Sequence, residues 1–87
     1  MTNRPIHKLR DGTVQASVWE NTREDGRPFY GVSFTRRYRD AAGEWHDSDN
    51  YSGGDLLKLQ RLIGEAYDFV KTQEEADRRR HREDDPQ

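Results

Sequence analysis

The stretch between Phe29 and Leu62 constrains the fold of this chain more than any other part of the sequence. Its beginning alternates larger apolar side chains with small or polar ones, at the period of two that a half-buried strand requires. A tight turn at residues 40–43, with Asp and Gly as its turn residues, and a second strand at residues 45–51 follow. Ser52 then begins a Ser-Gly-Gly-Asp segment with capping-box spacing. The stretch therefore predicts a strand, a tight turn, a second strand and the start of a helix.

Two shorter strands, at residues 6–10 and 14–21, are predicted before this stretch, with Asp11-Gly12 as the hairpin turn between them. Apolar side chains recur at spacings of three and four along the helix. They are Leu56, Leu59, Leu62, Ile63, Ala66, Phe69 and Val70. We expect this stripe to cover the strand face formed by Val14, Ala16, Val18, Tyr30, Val32 and Phe34. Because every connection is short, the predicted fold is α+β with the order ββββα, a four-stranded antiparallel meander with one long C-terminal helix packed on one face.

The composition limits the chain to one small domain with a thin core. Hydrophobic residues make up 30% of the 87 positions and charged residues 37%. We place a flexible lead at residues 1–5, the ββββα domain at residues 6–72 and a charged, frayed or disordered tail at residues 73–87. Dimerisation is the expected way to bury more apolar surface.

The sequence lacks the residues that several functional classes of protein require. The chain has no cysteine, so disulfides and thiolate zinc sites are excluded, and its three histidines are too scattered to predict a metal site. No nucleophile with a paired base and no phosphate-binding glycine loop is present. We therefore expect no enzyme, no cofactor and no small-molecule substrate. No apolar run approaches a membrane span, which favours a cytoplasmic protein without membrane contact.

The sheet face away from the helix carries the candidate functional residues. Alternation places three kinds of side chain there: small polar groups, aromatics and arginines. They are Gln15, Ser17 and Trp19 on the second strand, Phe29, Gly31, Ser33, Thr35, Arg37 and Arg39 on the third, and His46, Ser48 and Asn50 on the fourth. Residues 1–40 hold 8 Lys/Arg against 5 Asp/Glu, whereas residues 41–87 hold 7 against 12. The basic excess therefore lies on the predicted strands.

Such a surface suits a single nucleic-acid strand, because bases stack on aromatic rings and arginines hold phosphates. Trp19 stands out on a mostly polar face; nucleic-acid binding, a protein interface and local packing all explain it. Arg37 and Arg39 either contact phosphate or form a solvated strand end. Trp45 follows a turn glycine, and we expect it to pack over the sheet edge.

The ββββα order, the segment from Arg37 to Trp45 (RYRDAAGEW) and the polar cap before the helix resemble the single-stranded-DNA-binding transcriptional coactivator fold. That group contains positive cofactor four, its small bacterial relatives and, more distantly, the Whirly proteins. The resemblance implies a homodimer built through the helices, with the outer sheet faces presented to single-stranded DNA. It assigns binding to Trp19, Arg37 and Arg39, with Lys8 and Arg10 in support.

Together these observations predict a small dimeric protein that binds single-stranded DNA, or RNA, through the exposed sheet face and acts in transcription or replication. Gln15, Ser17, Phe29 and Thr35 complete the predicted site. The alternative is a protein–protein interaction module of a small bacterial or mobile-element family, without nucleic-acid affinity, which the acidic second half of the chain favours.

Overall fold

A computed structural model describes residues 4–84, with side chains through residue 80. Four strands form one sheet in the order β1-β2-β3-β4, and each neighbouring pair is antiparallel. The elements are β1 (His7–Asp11), β2 (Val14–Thr22), β3 (Pro28–Arg39), β4 (Trp45–Ser48) and α1 (Gly53–Asp84). The predicted ββββα fold is confirmed. Residues 1–3 and 85–87, at the predicted loose ends of the chain, lie outside the described residues.

The two tight turns depend on glycine. Between β1 and β2, Asp11 pairs with Val14, so the two-residue loop is Gly12-Thr13, one position later than predicted. Gly12 has φ of 61°, and a positive φ at the first loop position is what a type II′ hairpin turn requires. Gly43 has φ of 86° in the turn between β3 and β4. These conformations let the strands reverse without strain.

The core lies between β2 and the middle of the helix. Val14, Ala16 and Val18 point from the sheet toward Leu62 and Ala66, and all five are at most 2% exposed. The half-buried side chains around them include Leu9, Val32, Phe34, Tyr51 and Leu59. Burial is therefore deepest under β2, and the inner face of β3 is only partly covered.

The predicted helix stripe is wrong at two positions. Leu56 is 54% exposed and Ile63 is 48% exposed, whereas Leu62 is fully buried. The apolar residues span more of the helix surface than one buried face can use. His7 of β1 stacks on Phe69, and Asp77 contacts Tyr30 of β3, which fixes how the helix is rotated on the sheet.

Asp55 holds the start of the helix to the sheet. It is 7% exposed and reaches back to the backbone N–H of Ser52 at 3.3 Å, as the predicted capping box requires. The Ser52 hydroxyl, however, donates to the Asp55 carboxylate at 2.7 Å. Thr13 also donates to Asp55 at 3.1 Å, and Arg36 lies 3.6 Å away. The cap is thus also a tertiary contact.

Tyr51, just before the helix cap, is half-buried. It packs in the partly buried layer with Leu59, while Leu56 is largely exposed. Strand β4 ends at Ser48 instead of continuing to Tyr51. The Arg36 Nε donates to the Asn50 carbonyl at 2.6 Å, so the chain after β4 is held by a side chain in place of a strand partner.

The helix continues to Asp84, through most of residues 73–87, where a frayed or disordered tail was predicted. Tyr30 of β3 donates to Asp77, which is also paired with Arg80. Burial and the Asp77 carboxylate raise the pKa of Tyr30 well above its usual range, so this phenol stays protonated as a donor. These contacts hold the helix where its apolar pattern has ended.

Candidate nucleic-acid interface

Strand register places all nine predicted site residues on the outer face of the sheet. Ser17 pairs with Lys8 and with Ser33, and Gln15 pairs with Arg10 and with Thr35. Paired residues share a face, and the inward neighbours on β2 are buried under the helix. The outer-facing set is Lys8, Arg10, Gln15, Ser17, Trp19, Phe29, Thr35, Arg37 and Arg39. The helix therefore leaves the predicted surface open.

Trp19 and Phe29 form the aromatic end of this face. Trp19 is half-buried, and its indole N–H donates to the Ser33 hydroxyl at 3.0 Å. Its cross-strand partner is Gly31, where an added Cβ would meet nothing within 4 Å. Phe29 is 40% exposed and carries the Arg23 guanidinium 5.4 Å from its ring centre. The space beside Trp19 is thus open to solvent.

Strand β4 contributes different outer-face residues from those predicted. Trp45 pairs with Arg39 and Asp47 pairs with Arg37, so Trp45 and Asp47 share the outer face. His46 and Ser48 point to the inner side, and Asn50 lies beyond the strand. The turn sets this register, because Asp40 and Glu44 close it through a 2.9 Å backbone hydrogen bond. A three-residue loop ending in glycine was the sequence pattern that could have revealed it.

Trp45 was expected to pack over the sheet edge, but it is 55% exposed. The Arg37 and Arg39 guanidinium groups each lie 5.6 Å from its ring centre. Arg39 also donates to the Gly43 carbonyl at 3.1 Å, which fixes its position beside the indole. Trp45, which the sequence did not predict as a site residue, is the second aromatic position of the outer face.

The charge of the outer face is predominantly positive. Four cationic side chains stand on its strands: Lys8, Arg10, Arg37 and Arg39. Asp47 is the one carboxylate at an outer-facing position of the four described strands, and it lies 3.4 Å from Arg37. Lys8 and Arg10 lie in the same cross-strand rows as Ser17 and Gln15, between Trp19 at one end of the face and Trp45 at the other.

Asp40, Glu44 and His46 bring ligand atoms within 4.8 Å of one another at the β3–β4 hairpin. Asp40 already lies 2.6 Å from His46 and accepts from the Glu44 backbone at 2.9 Å. These contacts, that with His46 above all, hold the pKa of Asp40 below its usual range. These hydrogen bonds account for the cluster, which stabilises the turn.

An open recess of about 550 Å³ lies between the β2–β3 loop and the C-terminal half of the helix. Its charged lining includes Glu74, Asp77, Arg78 and Arg80, and Asp77 pairs with Arg80. The recess combines both signs of charge and does not adjoin the outer-face tryptophans.

No family model matches the chain, and comparisons with curated proteins and with solved structures returned no significant match. The resemblance to the single-stranded-DNA-binding coactivator fold therefore stays a prediction. In the part of the chain that the structure describes, no helix combines the length and apolarity that crossing a membrane requires.

Proposed function

We propose that the protein binds single-stranded nucleic acid, DNA or RNA, on the outer face of its sheet and acts in transcription or replication. The observation that carries this proposal is the layout of the face. Exposed aromatic rings lie at both ends, and small polar side chains lie between them. The outer-facing positions of the described strands hold four cationic side chains and one carboxylate. Stacking contributes roughly 1–3 kcal/mol per base and tolerates any sequence, so little sequence preference follows. This activity would place the protein in the cytoplasm.

The same proposal includes a homodimer through the helix. Leu56, Ile63 and Tyr67 are 54%, 48% and 61% exposed and recur on one side of the helix. That side is next to the half-buried inner face of β3, where Val32 and Phe34 are incompletely covered. A second helix packed there would cover this surface and leave both outer faces free.

A protein-interaction module is the second candidate function. The exposed helix side supports it as well, because contiguous exposed apolar surface marks association sites. In this alternative the occupant is an unrelated protein, and the outer sheet face has no nucleic-acid affinity.

Fluorescence anisotropy of labelled oligo(dT), with oligo(U) and duplex DNA as comparisons, tests the proposal. For a single strand, log K falls with log salt by about 0.7 for each phosphate that a cation neutralises. Four such cations give a slope of about −3, so binding should be roughly 50-fold weaker at about 200 mM than at about 50 mM salt. Saturable binding that prefers the single strand supports the proposal. Absence of binding at low salt contradicts it and favours the protein-interaction module.

A further inference from the structure

A small recess of about 80 Å³ opens on the outer face where the β1–β2 turn approaches β4. Its lining consists of Arg10, Thr13, Arg37 and Trp45. The Arg37 backbone N–H donates to the Thr13 carbonyl at 2.8 Å, so the two walls are joined through the main chain. Two arginines and a tryptophan thus border one depression, and a backbone hydrogen bond joins its two sides.

The cationic groups in this recess are oriented by the protein and keep donors for a ligand. Arg10 uses Nε to donate to the Gly12 carbonyl at 3.1 Å, and it makes no other hydrogen bond or ion pair within the described residues. A guanidinium has five N–H donors, so its terminal amino groups stay available. Arg37 lies 3.4 Å from Asp47, the neighbouring carboxylate, and 5.6 Å from the centre of Trp45.

We infer that the recess is a nucleotide anchor, which holds one phosphate between Arg10 and Arg37 and stacks the adjoining base on Trp45. This inference rests on the proposed function and assigns one position of the bound strand. Arginine forks match phosphate oxygens in pairs, and an exposed indole gives a base a surface for stacking. A carboxylate ligand would use the arginines alone and leave Trp45 without a role.

The anchor acts independently of the aromatic end of the face. Trp45 pairs with Arg39 and Trp19 pairs with Gly31, and these rows are eight positions apart along β3. At about 3.3 Å per residue the separation is about 26 Å. A stacked strand with 3.4 Å per phosphate needs about eight nucleotides to span that distance. A trinucleotide therefore reaches one tryptophan only.

Intrinsic fluorescence tests the anchor, because the chain has two tryptophans. Trp19→Phe leaves Trp45 as the only indole, and Trp45→Phe leaves Trp19. We expect a thymidine trinucleotide to quench Trp45 saturably at low salt and to quench Trp19 less, because both arginines of the recess lie with Trp45. An oligo(dT) of about 16 nucleotides, which is the longest site that one small single-strand-binding domain occupies, should quench both Trp45 and Trp19.

Charge variants in the Trp19→Phe background identify the phosphate contact. Arg10→Gln should weaken trinucleotide binding about tenfold, as expected for a hydrogen-bonded charged pair. Arg61→Gln removes the same charge from the helix, where Arg61 pairs with Asp11, and should change binding less than about twofold. Asp47→Asn should tighten binding, because it releases Arg37 from its carboxylate partner. Circular dichroism confirms that each variant is folded.

The outcomes separate the anchor from the proposed function. If the longer strand binds and the trinucleotide leaves Trp45 unchanged, the anchor is overturned and single-strand binding stands. Equal quenching by inorganic phosphate at matched ionic strength also overturns the anchor, because phosphate has no base to stack. If the longer strand does not bind either, both proposals fail.

Discussion

At the scale of single residues, a hydrogen bond and an open neighbouring position determine the surroundings of Trp19. The Ser33 hydroxyl holds its indole N–H at 3.0 Å, and Gly31 leaves open space opposite it. An indole that is fixed before binding loses little side-chain freedom when a base stacks on it. The ring is therefore ready to receive a base without rearrangement.

Replacing Trp19 by Ala should weaken oligo(dT) binding roughly 5- to 150-fold, which corresponds to a stacking contribution of 1–3 kcal/mol. Anisotropy measures the loss, and circular dichroism verifies the fold. Trp19→Phe is the matched control, since it keeps a smaller stacking ring while removing the bond to Ser33, and it should lose less affinity. Unchanged affinity in a folded Ala variant would remove Trp19 from the site.

Asp55 gives stability a specific pH dependence. The Ser52 hydroxyl, the Thr13 hydroxyl, the Ser52 backbone and nearby Arg36 together lower the pKa of Asp55 below its ordinary value of 3.8. The ionised carboxylate is therefore the form that stabilises the fold. Its contribution is present above the unfolded pKa and is lost as the pH falls through the folded pKa.

We expect thermal unfolding measured from pH 6 downward to show a melting temperature that drops below about pH 4. Asp55→Asn should melt several degrees lower at neutral pH and lose part of that acid slope. Glu75→Gln, at an exposed helix position, serves as the control and should keep the wild-type profile. An Asp55→Asn profile parallel to the wild type would contradict the assignment.

At the scale of elements, the helix has two apolar sides with different surroundings. Leu62 and Ala66 are buried against β2, while Leu57 is 74% exposed and the side bearing Ile63 is open. Side chains of similar hydrophobicity therefore differ in what they contribute to folding. Only the buried side determines the stability of the single chain.

Leu62→Ala should lower the free energy of unfolding by about 2–5 kcal/mol, because it removes a fully buried side chain and leaves a cavity. That is a large part of the roughly 5–15 kcal/mol available to a small domain. Leu57→Ala is the matched substitution and should change the free energy of unfolding by about 0.5 kcal/mol or less. Urea unfolding of both variants measures the difference, and similar losses would contradict the helix orientation.

At the scale of the whole molecule, the outer sheet face and the exposed helix side differ in charge and polarity. The outer sheet face is positive and polar, and the exposed helix side with Leu56, Ile63 and Tyr67 is apolar. A dimer through the helix would therefore bring two outer sheet faces into one particle. Two linked faces would bind one long strand more tightly than either face alone.

Sedimentation equilibrium should give the wild type twice its chain mass of 10.3 kDa, and Ile63→Glu should give a folded monomer. The charge would be buried without a partner in the dimer but stays solvated in the single chain. Leu57→Glu should remain dimeric, because Leu57 is about 120° from Ile63 around the helix. A wild-type monomer at high protein concentration would contradict the dimer.

The sequence by itself determined the element order, the meander and the residues of β1 to β3 that share the outer face. Strand alternation and glycine turns are local, and they depend only on backbone geometry and side-chain period. Tertiary structure decided two further features. The helix has more apolar surface than one buried side uses, so only packing against His7 and Tyr30 selects Leu62 over Ile63. Cross-strand hydrogen bonding at Asp40 and Glu44 places Trp45 outward, because a shift of one residue moves every side chain of β4 to the opposite face.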